Sequence, residues 1–167
     1  ELFTDKAYAY LPIGHLVSKG GMGAVRAYYE KMGDKFVNAL NEMLVFDAVI
    51  CNVDRHFGNF GVLRDNRTGK VIGPTPIFDN GLSLFNYAMS DDLEFLEEYA
   101  KNRSNPYGIS FENVCREVMG AKQRNQLRRL IGFHFTRHPS IISRKNVLGR
   151  LRSRSTCVCE SSFLCRE

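Results

Sequence analysis

Residues 34–59 read "DKFVNALNEMLVFDAVICNVDRHFGN". Up to Ile50 the apolar residues recur at helical spacing. Phe36, Leu40, Leu44 and Ala48 form one stripe, and Val37, Met43 and Ile50 widen it. A stripe this wide predicts a buried helix, with Asp34 placed to cap it. Past Ile50 the composition changes abruptly. Asn52–Asn59, "NVDRHFGN", sets Asp54, Arg55, His56 and Asn59 on a loop carried by the end of that helix. A rigid element beneath a polar loop is a way of holding side chains in place for chemistry. The simpler reading is a polar turn, because Asp and Asn both favour turns.

The residues after the loop predict a β-hairpin. "NFGVLRDNRTGKVIG" has two short apolar runs around "DNRTG", with Gly69 suited to a positive φ. "PIFDNG", Pro76–Gly81, reads as a short strand ending in a turn and presents a second acid, Asp79. Upstream, "AVRAYYEKM" is a short helix closed by Gly33. In residues 1–23, Pro12, Gly14 and the cluster Gly20-Gly21-Met22-Gly23 predict irregular connections. The cluster lacks the spacing of a phosphate-binding Walker loop and reads as a hinge.

Downstream, "SDDLEFLEEYA" predicts a helix from Ser90, with acids in the first turn where the dipole favours them. Ser110 is a cap for "SFENVCREVM". "AKQRNQLRRLIGFHF" places Leu127, Leu130, Ile131 and His134 near one face, and "SRKNVLGRLR" predicts a last basic helix. His134 and His138 read as scaffold or surface residues. The fold class expected is mainly α with a small β-hairpin, α+β.

The totals bound the alternatives. The 167 residues, 44% of them hydrophobic, suffice for one globular domain with a core. No apolar run approaches the roughly 18 residues of a membrane span. The longest, "MLVFDAVI", is interrupted by Asp47. The opening "ELFTDK" has neither an initiator Met nor a signal-peptide layout, so a fragment of a longer chain is expected. Net charge is +5, but Arg144, Lys145, Arg150, Arg152, Arg154 and Arg166 against Glu160 and Glu167 place +4 of it after residue 143. The body is nearly neutral, which argues against direct nucleic-acid binding.

Five cysteines, an odd count, favour a reducing compartment, and the expected location is the cytoplasm. Cys51 and Cys115 read as core thiols. Cys157, Cys159 and Cys165 crowd the tail without a fourth ligand, a poor zinc site. The domain division expected is 1–153 for the folded lobe and 154–167 for a disordered tail.

Asp54, Asn59 and Asp79 fit one chemistry together. Phosphoryl transfer needs a carboxylate near the acceptor hydroxyl and Mg²⁺ on the phosphate oxygens. Mg²⁺ takes hard oxygen ligands, often one or two from the protein. Here Asp54 and Asn59 share one loop, and Asp79 follows across a hairpin able to return it beside that loop. Asp-x4-Asn, a hairpin, then Asp is the logic of a kinase catalytic loop followed by its metal loop.

"NVDRHFGNFGVL" and "PIFDNGLSLF" resemble the catalytic and metal-binding motifs of the HipA-like serine/threonine kinases. These are distant relatives of the phosphoinositide lipid kinases, which also use an Asp-Arg-His-x-x-Asn loop. The resemblance covers about residues 34–90. It implies the C-terminal lobe of a protein-kinase-like fold, with ATP and Mg²⁺ as cofactors and a protein serine or threonine hydroxyl as acceptor. By motif match Asp54 is the catalytic base, Asn59 and Asp79 are the metal and cofactor ligands, and His56 stands beside the transferring phosphate. Arg55 is expected to brace the loop against an acid or a carbonyl.

Family analogy allows a DNA-binding antitoxin as partner. No basic amphipathic helix beside the loop suggests a membrane. Two departures qualify the resemblance. Asn80 stands where classical kinases carry the Phe of their metal triplet. No ATP-gripping N-terminal lobe is legible in the 53 residues before Asp54. A non-catalytic remnant or binding module of the same fold, and a lipid kinase, are the competing readings.

Overall fold

A computed structural model of the chain describes residues 6–133 apart from 18, 85, 90, 93, 96, 97, 100 and 101. The described elements run β1 (Tyr8–Pro12), α1 (Ile13–Leu16), α2 (Gly21–Met32), α3 (Asp34–Ile50), β2 (Gly61–Asp65), β3 (Val71–Pro74), α4 (Phe111–Val118) and α5 (Ala121–Arg128). The architecture is mixed α and β, five helices and one small antiparallel sheet of three strands among the described residues. The chain divides into two compact units. One is Glu1–Tyr87 with Ala100–Val118, and the other is Ala88–Tyr99 with Met119–Glu167.

In the first unit α3 is the central element. α2 packs on it from one end of the sequence, α4 from the other, and β3 lies against it as well. Phe36, Leu40, Met43, Leu44 and Val45 are its buried apolar residues. They meet a core that includes Val25 and Tyr29 of α2, Val62 of β2, and Val114, Cys115 and Val118 of α4. Fully burying one such side chain contributes about 1.5–3 kcal/mol, which is why the wide apolar stripe predicted this helix correctly. Its N-terminal detail differs from expectation. Gly33 is both the end of α2 and the cap residue of α3, and Asp34 lies inside the first turn. There its carboxylate still complements the helix dipole.

The predicted hairpin is present as β2 and β3, with Gly69 at φ 69° in the turn. Asp65 Oδ1 accepts the N–H groups of Arg67 and Thr68 at 2.8 and 2.7 Å, which closes the turn locally. The front of the chain departs from expectation. Tyr8–Pro12 is a strand that pairs antiparallel with β2 from Tyr8↔Asp65 to Pro12↔Gly61. β1 is an edge strand, where Pro12, lacking an N–H, is tolerated.

At the tight end of this pair, a Cβ on Gly61 would stand 2.0 Å from the Leu11 carbonyl oxygen, so only glycine fits. α2 also begins earlier than expected, at Gly21, inside the glycine cluster. "PIFDNG" has no regular structure, since β3 ends at Pro74.

Ser110 acts as the predicted cap, its Oγ accepting the Asn113 N–H at 3.2 Å. Arg26 of α2 and Glu117 of α4 form an ion pair at 3.1 Å.

In the second unit, α5 buries Gln123 and Leu127, while Ile131 remains exposed. Gln123 Oε1 accepts the Gly120 N–H at 3.1 Å, which satisfies one free donor at the helix start. The helix expected from Ser90 falls partly outside the described residues; Asp91, Asp92 and Glu94 lie in turns, while Glu98 and Tyr99 are helical. His134, His138, the last basic helix, Cys157, Cys159, Cys165 and the tail from 154 lie wholly outside them.

Candidate functional site

The end of α3 builds the site. Cys51, at φ 52°, takes the left-handed position that usually falls to glycine. Its N–H points to Ala48 O, and the Asn52 N–H bonds Asp47 O at 2.9 Å. These two bonds stop the helix and turn the chain into the polar loop. A non-glycine residue in this conformation costs about 1–2 kcal/mol. The carbonyl of Ile50 accepts the Leu84 N–H at 2.5 Å, so the segment after Asp79 is fastened to the same helix end.

The loop itself has almost no slack. The Asp54 carbonyl accepts the His56 N–H at 2.8 Å and Asn59 Nδ2 at 3.0 Å. The Arg55 carbonyl accepts the Tyr107 hydroxyl, and the His56 carbonyl accepts the Asn59 N–H at 2.9 Å. The Phe57 and Phe60 carbonyls accept the N–H groups of Gly14 and Ile13, from the start of α1. The Gly58 carbonyl accepts the Tyr10 hydroxyl at 2.6 Å, and the Gly61 carbonyl accepts the Tyr29 hydroxyl at 3.0 Å. The Asn59 carbonyl accepts Arg55 Nη1 at 3.1 Å.

Every carbonyl from Asp54 to Gly61 therefore has a donor. Phe57 stacks on Tyr107, with ring centroids 5.4 Å apart. A loop held this way can present side chains without paying ordering entropy at the moment of reaction.

Arg55 is the centre of this arrangement and is 1% exposed. Its Nε and Nη2 form a two-pronged pair with Asp47, both at 2.9 Å. Nη1 bonds the carbonyls of Asn59 and Phe78, and Nη2 also bonds Asn80 Oδ1 at 2.5 Å. All five guanidinium N–H donors are thereby used. Arg55 braces the loop against an acid and against carbonyls, as its sequence context suggested. It also joins the Asp54 loop to the two residues that flank Asp79.

Asp47 itself is buried. Burial pushes its carboxyl above the usual carboxylate range, and the Arg55 guanidinium and the Asn52 amide pull it partway back. Asn52 Nδ2 donates to Asp47 Oδ1 at 3.0 Å, and Asn52 Oδ1 accepts the Asp54 N–H at 3.1 Å.

Tyr10 makes a second link between the two loops. Its hydroxyl holds the Gly58 carbonyl, and its ring packs edge-on against Phe78 at 5.4 Å. Burial pushes the phenol up to about 12, with the Arg55 charge opposing, so it remains a donor across the ordinary pH range.

The four residues named from sequence are placed as follows. Asp54 is half-buried and Asn59 is 6% exposed. They are joined by the bond from Asn59 Nδ2 to the Asp54 carbonyl, which leaves Asn59 Oδ1 outside the scaffold. His56 is exposed, and its Nδ1 accepts the Gly58 N–H at 3.0 Å. In the neutral ring the proton then sits on Nε2. A Cβ on Gly58 would come within 2.8 Å of the His56 ring, so glycine is what lets the imidazole fold back there.

Asp79 is exposed and left-handed at φ 54°, a strained conformation for a non-glycine residue and one enriched at functional sites. Its segment is tied to the Asp54 loop through Arg55. Among the described residues, no hydrogen bond or ion pair occupies the carboxylates of Asp54 or Asp79. Nor do any three His, Cys, Asp or Glu side chains among them form a metal-holding group. The Asn59 carboxamide and the Asp79 carboxylate each offer a hard oxygen, the ligand type taken by Mg²⁺, which keeps most of its water.

Sequence reading missed several scaffold residues, among them Asp47, Asn80, Tyr10 and Tyr107. Asp47 gave a signal, being an acid in the last turn of an apolar helix where the dipole disfavours it. Asn80 was noticed only as a departure from the classical triplet. Tyr10 and Tyr107 gave none, because they reach the loop from 48 and 52 residues away. Comparison with protein-family models, with curated proteins and with solved structures finds no match to this chain.

Proposed function

We propose that this chain carries the catalytic lobe of a HipA-like serine/threonine kinase, transferring a phosphoryl group from ATP to a protein hydroxyl. The observation that carries the reading is the bonding of Arg55 to both motif loops, with the carboxylates of Asp54 and Asp79 left out of the scaffold. A purely structural polar turn has no need to leave two acids unpaired beside a saturated backbone.

In this reading Asp54 accepts the hydrogen bond of the acceptor hydroxyl, orients it and takes its proton. The His56 Nε2–H donates toward charge gathering on the phosphoryl oxygens. Asn59 Oδ1 and the Asp79 carboxylate would hold Mg²⁺, which would neutralise charge on the phosphate oxygens as the γ-phosphoryl group passes from ATP to the hydroxyl oxygen and ADP leaves. The saturated backbone keeps these groups in register, and positioning is most of what phosphoryl transfer asks of a protein.

The test is Mg²⁺-dependent ATP binding and phosphate incorporation, on this chain and on one extended at its front. Asp54→Ala is expected to abolish transfer and leave ATP binding largely intact. Asp79→Ala is expected to weaken Mg²⁺-ATP binding itself. Undiminished transfer in Asp54→Ala would remove the base assignment. No ATP binding by either form would leave a non-catalytic module.

A further inference from the structure

The kinase reading leaves unexplained why an acid sits buried at the end of α3. Asp47 touches neither motif loop's free side chains. Its two oxygens are spent on Arg55 and on Asn52. Arg55 in turn spends its remaining donors on Asn59 O, Phe78 O and Asn80 Oδ1. The far ends of this relay straddle Asp79 on one side and reach the Asp54–Asn59 loop on the other. Asn52 adds a second arm, through its bond to the Asp54 N–H.

We propose that Asp47 is a positioning residue for the metal site, setting Asp79 against Asn59 through the Arg55 guanidinium and its bonds to Phe78 and Asn80. This rests on the kinase reading and names the device that holds its two metal ligands in register. The chemistry requires a carboxylate at 47. A planar fork pairs with two oxygens, and both of its prongs are used here. Asparagine keeps the shape but replaces one acceptor with an amide that faces other N–H donors. The guanidinium, buried and no longer held at both prongs, then swings, and the two bonds it makes on either side of Asp79 move with it.

Asp79 is also left-handed in its backbone, a conformation that Asp adopts more readily than most residues and that such bonds help to fix. The same relay explains Asn80. With asparagine in place of the classical Phe, the triplet is tied down by a side-chain hydrogen bond, while Phe78 packs on Tyr10.

The experiment is a titration of the full chain with Mn²⁺ alone, followed by the electron paramagnetic resonance signal of the free ion. Thermal unfolding of each variant is measured in parallel. Wild type is expected to bind Mn²⁺ in a manner lost in Asp79→Ala. Asp47→Asn is expected to weaken binding severalfold, less than the roughly tenfold or more that follows loss of a group bonded directly to a metal ligand. Arg55→Lys, which keeps charge but not the fork, is expected to do the same.

Val25→Ala, a core truncation on α2, is expected to lower the melting temperature and leave Mn²⁺ affinity unchanged. That contrast separates positioning from general destabilisation. A folded Asp47→Asn that binds Mn²⁺ as wild type does would overturn the inference while leaving the kinase reading intact. If Asp47→Asn does not fold, Asn80→Ala decides. Severalfold weaker binding supports the relay, and unchanged binding overturns it. Failure of wild type to bind, or equal binding by Asp79→Ala, removes the kinase reading and this inference with it.

Discussion

Arg55→Met is the substitution whose cost can be worked most directly from the structure. Methionine fills much of the aliphatic volume and removes all five donors. The Asp47 carboxylate, 3% exposed, then keeps only the Asn52 amide. Breaking a buried ion pair by deleting one partner costs about 3–5 kcal/mol. The buried Asn59 carbonyl also loses its donor, at about 1–3 kcal/mol. The sum is about 4–8 kcal/mol, comparable with the whole stability of a small domain, about 5–15 kcal/mol.

Asp47→Leu with Arg55→Met removes both charges. Exchanging a buried pair for apolar side chains is often neutral or stabilising. The double variant should therefore be more stable than Arg55→Met alone, with a coupling energy of about 2–4 kcal/mol in the cycle. The chain has no tryptophan, so urea unfolding is followed by far-ultraviolet circular dichroism. A variant unfolded in buffer is refolded by titration with an excluded osmolyte. Additive losses, with coupling below about 0.5 kcal/mol, would mean that the pair is not the buried, mutually dependent unit described here.

Gly61→Ala should lower stability by about 3 kcal/mol or release β1, because its Cβ would meet the Leu11 carbonyl at 2.0 Å; hydrogen exchange at Tyr10 and Leu11 reads the strand directly. Cys51→Gly should raise stability by about 0.5–1 kcal/mol, since relief of the left-handed strain exceeds the added chain entropy; a lower denaturation midpoint would contradict the strain assigned there. Burial raises the phenols of Tyr10, Tyr29 and Tyr107, with the Asp47 carboxylate adding to the effect at Tyr107. Folded values above the unfolded value near 10 mean that this contribution is complete below pH 10. It is lost as pH rises from about 10 through about 12, the folded value of Tyr10. A phenolate absorbance titration in which all seven tyrosines ionise together near 10, with the chain still folded, would contradict it.

The sequence by itself determined the parts of this protein whose causes are local. α3 was legible because its apolar stripe repeats at the period of one helix. The β2–β3 hairpin was legible because Gly69 and its neighbours encode a turn in a few adjacent residues. Asp54, Asn59 and Asp79 could be nominated because their order and spacing follow a chemical requirement. The pairing of β1 with β2 was not legible, since its hydrogen bonds are between backbones about 50 residues apart, and "YAYLP" carries no clean alternation.

Tertiary structure alone decided how the loop is held. Tyr10, Tyr29 and Tyr107 come from three distant segments, and nothing in their neighbours announces that each hydroxyl will meet a carbonyl of the same loop. Asp47 looked like an interruption of an apolar run. Only in the folded chain does it meet Arg55, eight residues on, and through it the segment around Asp79. The physical reason is that a buried charge must be paired, and its partner is set by where the chain returns in space.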